Sequence, residues 1–197
     1  MKRIHMALVL TVVLAVAAFV PMASASPVGL GTLELNAGYA KSSTEVMPNG
    51  DSFGGGITFG AAYWRSMSPS VSWGGELSFD NLGSVDYDNG NTTDNKISAS
   101  AFRVNPAVRF NFGAPVGPSF YAQGGAGLYS VSSKVEDSLL GDASDSQSKF
   151  GFNIGAGVSF PVGPKSRMNF TGLYHSVSTD VDNTNYMQFR AGFGFGL

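Results

Sequence analysis

Six charged residues, Glu34, Glu76, Asp80, Arg103, Arg109 and Arg190, stand in stretches otherwise made of apolar, small and uncharged polar residues. Three carboxylates and three guanidiniums can form charge-assisted pairs. Shielded from water, such pairs either brace the surrounding structure or exchange partners as a gate. Which applies depends on whether the chain brings them to one place.

His175 is the second candidate, being the one histidine besides His5. An imidazole that activates a hydroxyl must share a face with it. Ser176 and Ser178 lie one and three residues away, on the opposite face of a strand of period two. The dyad fails, His175 reads as an ordinary inward or interface residue, and no enzyme is expected. The segment DYDNGNTTDN (86–95) is similar to a calcium loop, but its sixth position is Asn91 rather than Gly and its twelfth is Ile97 rather than Glu. With no Cys in the chain, thiolate metal sites and thiol chemistry are excluded. Neither a metal nor another cofactor is expected.

The elements that position these residues follow from composition and periodicity. The 197 residues are 43% hydrophobic but only 13% charged, with 26 Gly. About a quarter of a soluble domain is charged, so the charge expected of a water-facing surface is missing. A net charge of −2 also argues against a nucleic-acid partner, which needs clustered Lys and Arg.

Lys2 and Arg3 precede an apolar run from Met6 to Val20, Pro21 breaks it, and Ala23-Ser24-Ala25 supplies the small residues of a cleavage site. Residues 1–25 are expected to be a secretory signal peptide and residues 26–197 the exported domain. The apolar run is shorter than the ~20 residues of a spanning helix.

Beyond it, eight segments alternate with period two, near 30–41, 54–65, 71–81, 102–112, 119–131, 150–160, 167–177 and 187–197. In 150–160, Phe150, Phe152, Ile154, Ala156, Val158 and Phe160 share one face, and Gly151, Asn153, Gly155, Gly157 and Ser159 the other. A strand between lipid and a polar lumen needs this pattern over ~10 residues. The links at 66–70, 113–118 and 161–166 are short, whereas those at 42–52, 82–96, 132–148 and 178–185 are mostly longer and polar. The expected fold class is all-β, an eight-stranded antiparallel up-and-down transmembrane β-barrel with short periplasmic turns, longer outer loops and both termini periplasmic. Two residues fit it badly. Leu173 falls on the inward face, and Pro106 interrupts strand four, where a bulge would accommodate its missing N–H.

In this frame the six charges point inward. Glu76 with Arg109, and Asp80 with Arg103, come to similar heights on neighbouring strands, and Glu34 meets Arg190 across the closure seam. Three ion pairs are expected, filling the lumen or gating it. Inward Gly125, Gly127, Gly155, Gly157, Gly192, Gly194 and Gly196 leave room for the long side chains of the other half. Tyr63, Trp73, Phe110, Phe112, Phe120, Phe160 and Phe195 point outward near a periplasmic turn or the C-terminus, where an interfacial girdle belongs. Eleven of the 14 acids lie in the outer loops, solvated and mutually repelling, with divalent-ion bridging to lipopolysaccharide as a second reading.

The stretches PSFYAQGGAGLYSVSS (118–133), KFGFNIGAGVSFPVG (149–163) and NFTGLYHSV (169–177) resemble the later half of the small barrel domain shared by outer-membrane-protein-A-like barrels and opacity-type surface antigens. The closing MQFRAGFGFGL resembles the strand that outer-membrane assembly machinery reads, with Phe193 and Phe195 outward, but it ends in Leu197 where Phe is usual. The resemblance implies an integral outer-membrane barrel in contact with outer-membrane lipid and lipopolysaccharide. It carries no activity, because fold does not fix function.

The sequence thus points to a monomeric outer-membrane protein with a side-chain-filled polar lumen, acidic outer loops and a structural or surface-interaction role, including an unidentified surface ligand at the loops. The alternative is a narrow passive channel for small solutes. A bore sealed by the inward network separates the first from the second.

Overall fold

The computed structural model describes residues 31–43, 54–87, 95–113, 117–136, 143–178 and 183–197. The signal peptide expected over 1–25 lies outside them, as do the loop acids Glu45, Asp51, Asp88, Asp94, Asp137, Asp142, Asp180 and Asp182. The described residues form eight strands: β1 (Gly31–Ser42), β2 (Gly56–Ser66), β3 (Val71–Tyr87), β4 (Asn95–Gly113), β5 (Ser119–Glu136), β6 (Ala143–Gly163), β7 (Ser166–Val177) and β8 (Thr184–Gly196). Each pairs antiparallel with its neighbour in sequence, and β8 closes on β1. The eight-stranded antiparallel barrel read from the alternation is the fold.

The register fixes how wide the bore is. A row of paired residues runs from Thr32 through Trp64, Gly74, Ala107, Gly125, Asn153, His175 and Tyr186, and returns to β1 at Ser42. The row comes back ten residues further along β1 than it started. That stagger tilts the strands, and with eight of them the interior is just wide enough for side chains to fill.

Alternation sorts the two faces. Leu35, Phe59, Leu77, Phe102, Leu128, Phe152 and Phe189 are exposed on the outside, while Glu34, Thr58, Glu76, Arg103, Gln123, Asn153 and Gln188 are buried inside. This is an inverted core, apolar out and polar in, as a lipid-facing wall requires. Leu173 does lie inward, fully buried, opposite Gly155.

Four strands are longer than the alternation indicates. β3, β4, β5 and β6 run 17, 19, 18 and 21 residues, against 12, 11, 12 and 13 for β1, β2, β7 and β8. Parts of the expected loops 82–96 and 132–148 are therefore strand, and Asp86, Glu136 and Asp145 belong to β3, β5 and β6. Beyond the lipid the outer face need not be apolar, so the hydrophobic signal stops while the ladder continues through Ser84↔Ser98, Ser98↔Lys134 and Lys134↔Ser144. Polarity inverts at this level. Leu82, Ala99 and Ala101 join Ala40, Tyr129, Val177 and Tyr186 in a buried apolar cluster on the inner side.

Pro106 causes no bulge. Its pairing with β3 is continuous through Gly75↔Pro106, and the ladder to β5 skips Asn105 and Pro106 and resumes in the same register at Ala107↔Gly125. The register shifts lie elsewhere, on β3 between Asn81 and Gly83 and on β6 between Pro161 and Gly163. Gly83 has φ of 93°, a left-handed conformation that favours glycine. Its N–H donates to Asn81 Oδ1 at 2.8 Å, and a Cβ there would strike the backbone of Gly55.

Candidate functional site in the barrel interior

The inward side chains form three connected layers. In the uppermost, Asp80 on β3 accepts hydrogen bonds from Tyr186 Oη at 2.8 Å, Gln188 Nε2 at 2.8 Å, Ser78 Oγ at 2.6 Å and the Thr58 hydroxyl. Arg103 places its Nε 3.4 Å from Asp80 and donates through Nη2 to Gln188 Oε1 at 3.0 Å. His175 lies between Gln188 Oε1 at 3.2 Å and Tyr129 Oη at 3.1 Å. Its ring stacks on Tyr186 with centroids 4.3 Å apart and planes 4° from parallel. Asp80, Arg103, His175, Tyr129, Tyr186 and Gln188 are all fully buried.

Glu76 is the centre of the middle layer. It takes Arg190 on Oε1 and Arg103 on Oε2, the latter at 3.4 Å, and Gln123 Nε2 donates to it at 3.3 Å. Gln123 then links downward, because its Oε1 accepts from Arg109 Nη2 at 2.9 Å. In the lowest layer Arg109 Nη1 and Asn169 Nδ2 both donate to Glu34 Oε2, at 3.0 and 2.9 Å. The Arg109 guanidinium is held between the rings of Trp64 and Tyr121, 4.1 and 4.2 Å from their centroids. A cation desolvated between two aromatic faces is attracted to both. At the short-turn rim Arg167 donates to Ser159 Oγ at 2.7 Å, Ser119 Oγ at 2.9 Å and Gly117 O at 3.2 Å.

Glycines give these groups their space. A Cβ on Gly157 would collide with the ring of Tyr121, one on Gly151 would come 2.9 Å from the ring of Tyr129, and one on Gly192 would come 3.0 Å from Glu34 Oε1. The bare walls of β6 and β8 are thus filled from β1 and β5.

Of the pairings expected, Asp80 meets Arg103. The other two are exchanged. Glu76 pairs with Arg190 and Arg103 rather than Arg109, and Glu34 pairs with Arg109 rather than Arg190. Height on neighbouring strands was the wrong guide, because an arginine stem spans much of so narrow a bore and selects a carboxylate on another wall. Sequence reasoning passed over Trp64, Gln123, Tyr129, Asn169, Tyr186 and Gln188. Their signal was present in their inward parity, but uncharged side chains gave no reason to single them out.

Tyr63, Trp73, Phe110, Phe112, Phe120, Phe160 and Phe195 stand on the outer face toward the short-turn end. Phe193 and Phe195 place their rings 4.8 Å apart, and Leu197 N–H donates to Gly31 O at 2.8 Å, tying the last residue to the start of β1. A cavity of about 420 Å³ lies on the outer wall, where Phe170, Gly172, Phe189 and Ala191 line it. Among the described residues no group of three His, Cys, Asp or Glu is placed to hold a metal. The interior arrangement can seal the bore by mutual pairing.

A family model described as "Outer membrane protein beta-barrel domain" matches residues 6–196. Among solved structures, the chain is similar to the Neisserial surface protein A, with 15% identity, a TM-score of 0.60 and coverage of 84% of this chain and 96% of that one. It is also similar to a major outer membrane protein from Thermus thermophilus (12% identity, TM-score 0.57, 86% and 99% covered). A third is the attachment invasion locus protein Ail of Yersinia pestis (16% identity, TM-score 0.54, 86% and 99% covered). At these identities the likeness is one of fold. Comparison of the sequence with curated proteins finds no match.

Proposed function

Because the chain belongs to the outer membrane protein beta-barrel domain family, we propose that it is a non-enzymatic, monomeric outer-membrane protein with a sealed bore, whose work is done outside the membrane by the sheet that β3 to β6 raise above the rim. The observation that carries this reading is the interior network. Arg103, Glu76, Asp80 and Arg190 are buried and mutually paired, and Arg109 is clamped between two rings beneath them. Three carboxylates balance three guanidiniums, so opening the bore to ions means stripping buried charges of their partners, which is strongly unfavourable.

The raised sheet supports the second half of the proposal. β6 continues above its last rung with β7, Gly151↔Val177, beyond which Ser178 N–H still donates to Phe150 O at 3.0 Å. By alternation the backbone groups of Ser144, Ser146 and Ser148 face the same side, and residues 144–148 are all exposed. The opposite edge, on β3, is covered by Gly54 and Gly55, whose N–H groups donate to Ser84 O and Leu82 O. Among the described residues nothing pairs with this edge, and an edge of this kind can receive an extended peptide as an added strand. The signal peptide at 1–25 would deliver the chain across the inner membrane, both termini would face the periplasm, and the outward girdle and Phe193-Phe195-Leu197 would meet lipid and the assembly machinery.

The deciding experiment is single-channel recording on the mature chain refolded into lipid bilayers. Silence from protein shown to be inserted and folded is expected. Steady openings of defined size would replace the sealed scaffold with a narrow passive channel.

A further inference from the structure

His175 is the one histidine outside residues 1–25, and the side chains hydrogen-bonded to its ring fix which nitrogen carries the proton. Gln188 Nε2 donates to Asp80 Oδ1 at 2.8 Å and to Thr58 Oγ1 at 2.7 Å, while Gln188 Oε1 accepts from Arg103 Nη2 at 3.0 Å. Turned over, this amide would set its NH2 against a guanidinium and its oxygen against a carboxylate. The oxygen therefore faces His175, and because it only accepts, His175 Nε2 at 3.2 Å must donate to it. A neutral imidazole then has a bare Nδ1. That atom accepts from Tyr129 Oη at 3.1 Å, and Tyr129 Oη accepts from Asn153 Nδ2 at 3.2 Å.

The chain of bonds thus has a direction, from Asn153 through Tyr129 and His175 to Gln188. A second proton, on Nδ1, reverses its first half. Nδ1–H only donates, so Tyr129 Oη must accept from it and send its own hydrogen elsewhere. Asn153 supplies the acceptor. Its Oδ1 is buried and has no hydrogen-bond partner among the described residues, and turning the amide over brings that oxygen to where Nδ2 now meets Tyr129. The turn exchanges one bond for another and leaves one end of the amide unpaired in either state. The same side chains therefore have two arrangements of similar bonding.

We propose that Asn153, Tyr129 and His175 form a proton-operated switch in the upper layer, donating toward His175 when the imidazole is neutral and away from it when the imidazole is charged. The titratable and charged groups around it are Asp80 and Glu76 on β3, Arg103 on β4, Tyr129 on β5, and Tyr186 and Arg190 on β8, while β6 faces it with uncharged Asn153. Arg103 matters most, because its Nη2 and His175 Nε2 meet at one oxygen, Gln188 Oε1. The carboxylates of Glu34, Glu76 and Asp80 already balance three guanidiniums, so the charge on His175 is unmatched and bears directly on the Arg103–Asp80 pair. Tyr129 and Tyr186 also belong to the buried apolar cluster that includes Leu82, Ala99 and Ala101. The switch thus stands at the foot of the raised sheet. It follows from side-chain geometry and holds whether or not the bore conducts.

The test is NMR on the mature chain folded in lipid nanodiscs with nitrogen-15 in histidine and asparagine, where His175 gives the only imidazole signals. Near about pH 8 the proton is expected on Nε2, with Nδ1 bare; toward about pH 5 Nδ1 should gain a proton, and the Asn153 side-chain amide should shift in the same step. Asn153→Leu removes the acceptor that the charged state needs, so His175 should then require about tenfold more acid. A proton on Nδ1 at the higher pH, an imidazole that stays neutral until the barrel unfolds, an Asn153 amide unmoved through the step, or an unchanged titration in Asn153→Leu each overturn the switch. Should Asn153→Leu fail to fold, the wild-type spectra decide alone.

Discussion

Glu34 and Arg109 join at 3.0 Å from β1 to β4, across the bore rather than along a rung of the sheet. The contact ties opposite walls together, so its loss is felt by the whole barrel. Arg109→Met leaves Glu34 buried beside Asn169 alone and should destabilise by about 3–5 kcal/mol. Arg109→Lys keeps the charge but gives up the fork and the double stack on Trp64 and Tyr121, and about 1–2 kcal/mol is expected. Urea unfolding in lipid vesicles, followed by the fluorescence of Trp64 and Trp73, ranks the two.

Asp80 is held by five side chains, from Thr58, Ser78, Arg103, Tyr186 and Gln188. Asp80→Asn preserves its shape while removing the charge that Arg103 faces, and should cost about 3–5 kcal/mol. Tyr186→Phe deletes a single hydrogen bond and keeps the ring on His175, so the loss should be about 1–3 kcal/mol. If both cost the same in the unfolding assay, the charge at Asp80 is not what the layer is built around.

Two glycines should respond oppositely to the same substitution. Gly157→Ala drives a methyl into the Tyr121 ring and the Phe170 carbonyl, and should destabilise by about 1–3 kcal/mol. Gly75 faces outward with nothing within 4 Å of a Cβ. Gly75→Ala should be neutral or stabilising by about 0.4–1 kcal/mol, through the unfolded chain. Unfolding midpoints of the pair report how tightly the interior is filled.

Ser146→Pro tests the open edge. Its N–H points away from β5, so proline there should leave the β5–β6 ladder in place and block strand addition. Vesicles carrying the wild-type protein are expected to adhere to an immobilised peptide of alternating Thr and Val, and the variant should not. Equal adhesion would remove the edge from the account of function.

The barrel was legible because lipid and lumen impose opposite demands on successive residues. Phe150 to Phe160 show this at every second position. The same rule explains what was missed. Above the rim Ser98, Ser100, Ser132 and Ser144 face water, so nothing apolar marks the strands that carry them. The six lumen charges were legible as a set, since a charge on the inward face must find a partner. Their pairing was not, because strand height ranks neighbours along the wall, whereas Arg109 and Arg190 choose among carboxylates across the bore. Gly83 took the bulge assigned to Pro106 for a local reason: φ of 93° suits glycine, and a closed ladder tolerates one missing N–H more easily than a change of register.

Tyr121 over Gly157, Tyr129 over Gly151 and Glu34 over Gly192 each behave as one volume shared between two positions. Such pairs should be inherited as units. A homologue that places a larger residue on β6 should thin β5 at the matching height, so substitutions on neighbouring strands should covary with opposite sign in size, and the interior would keep its summed volume through evolution while individual positions drift.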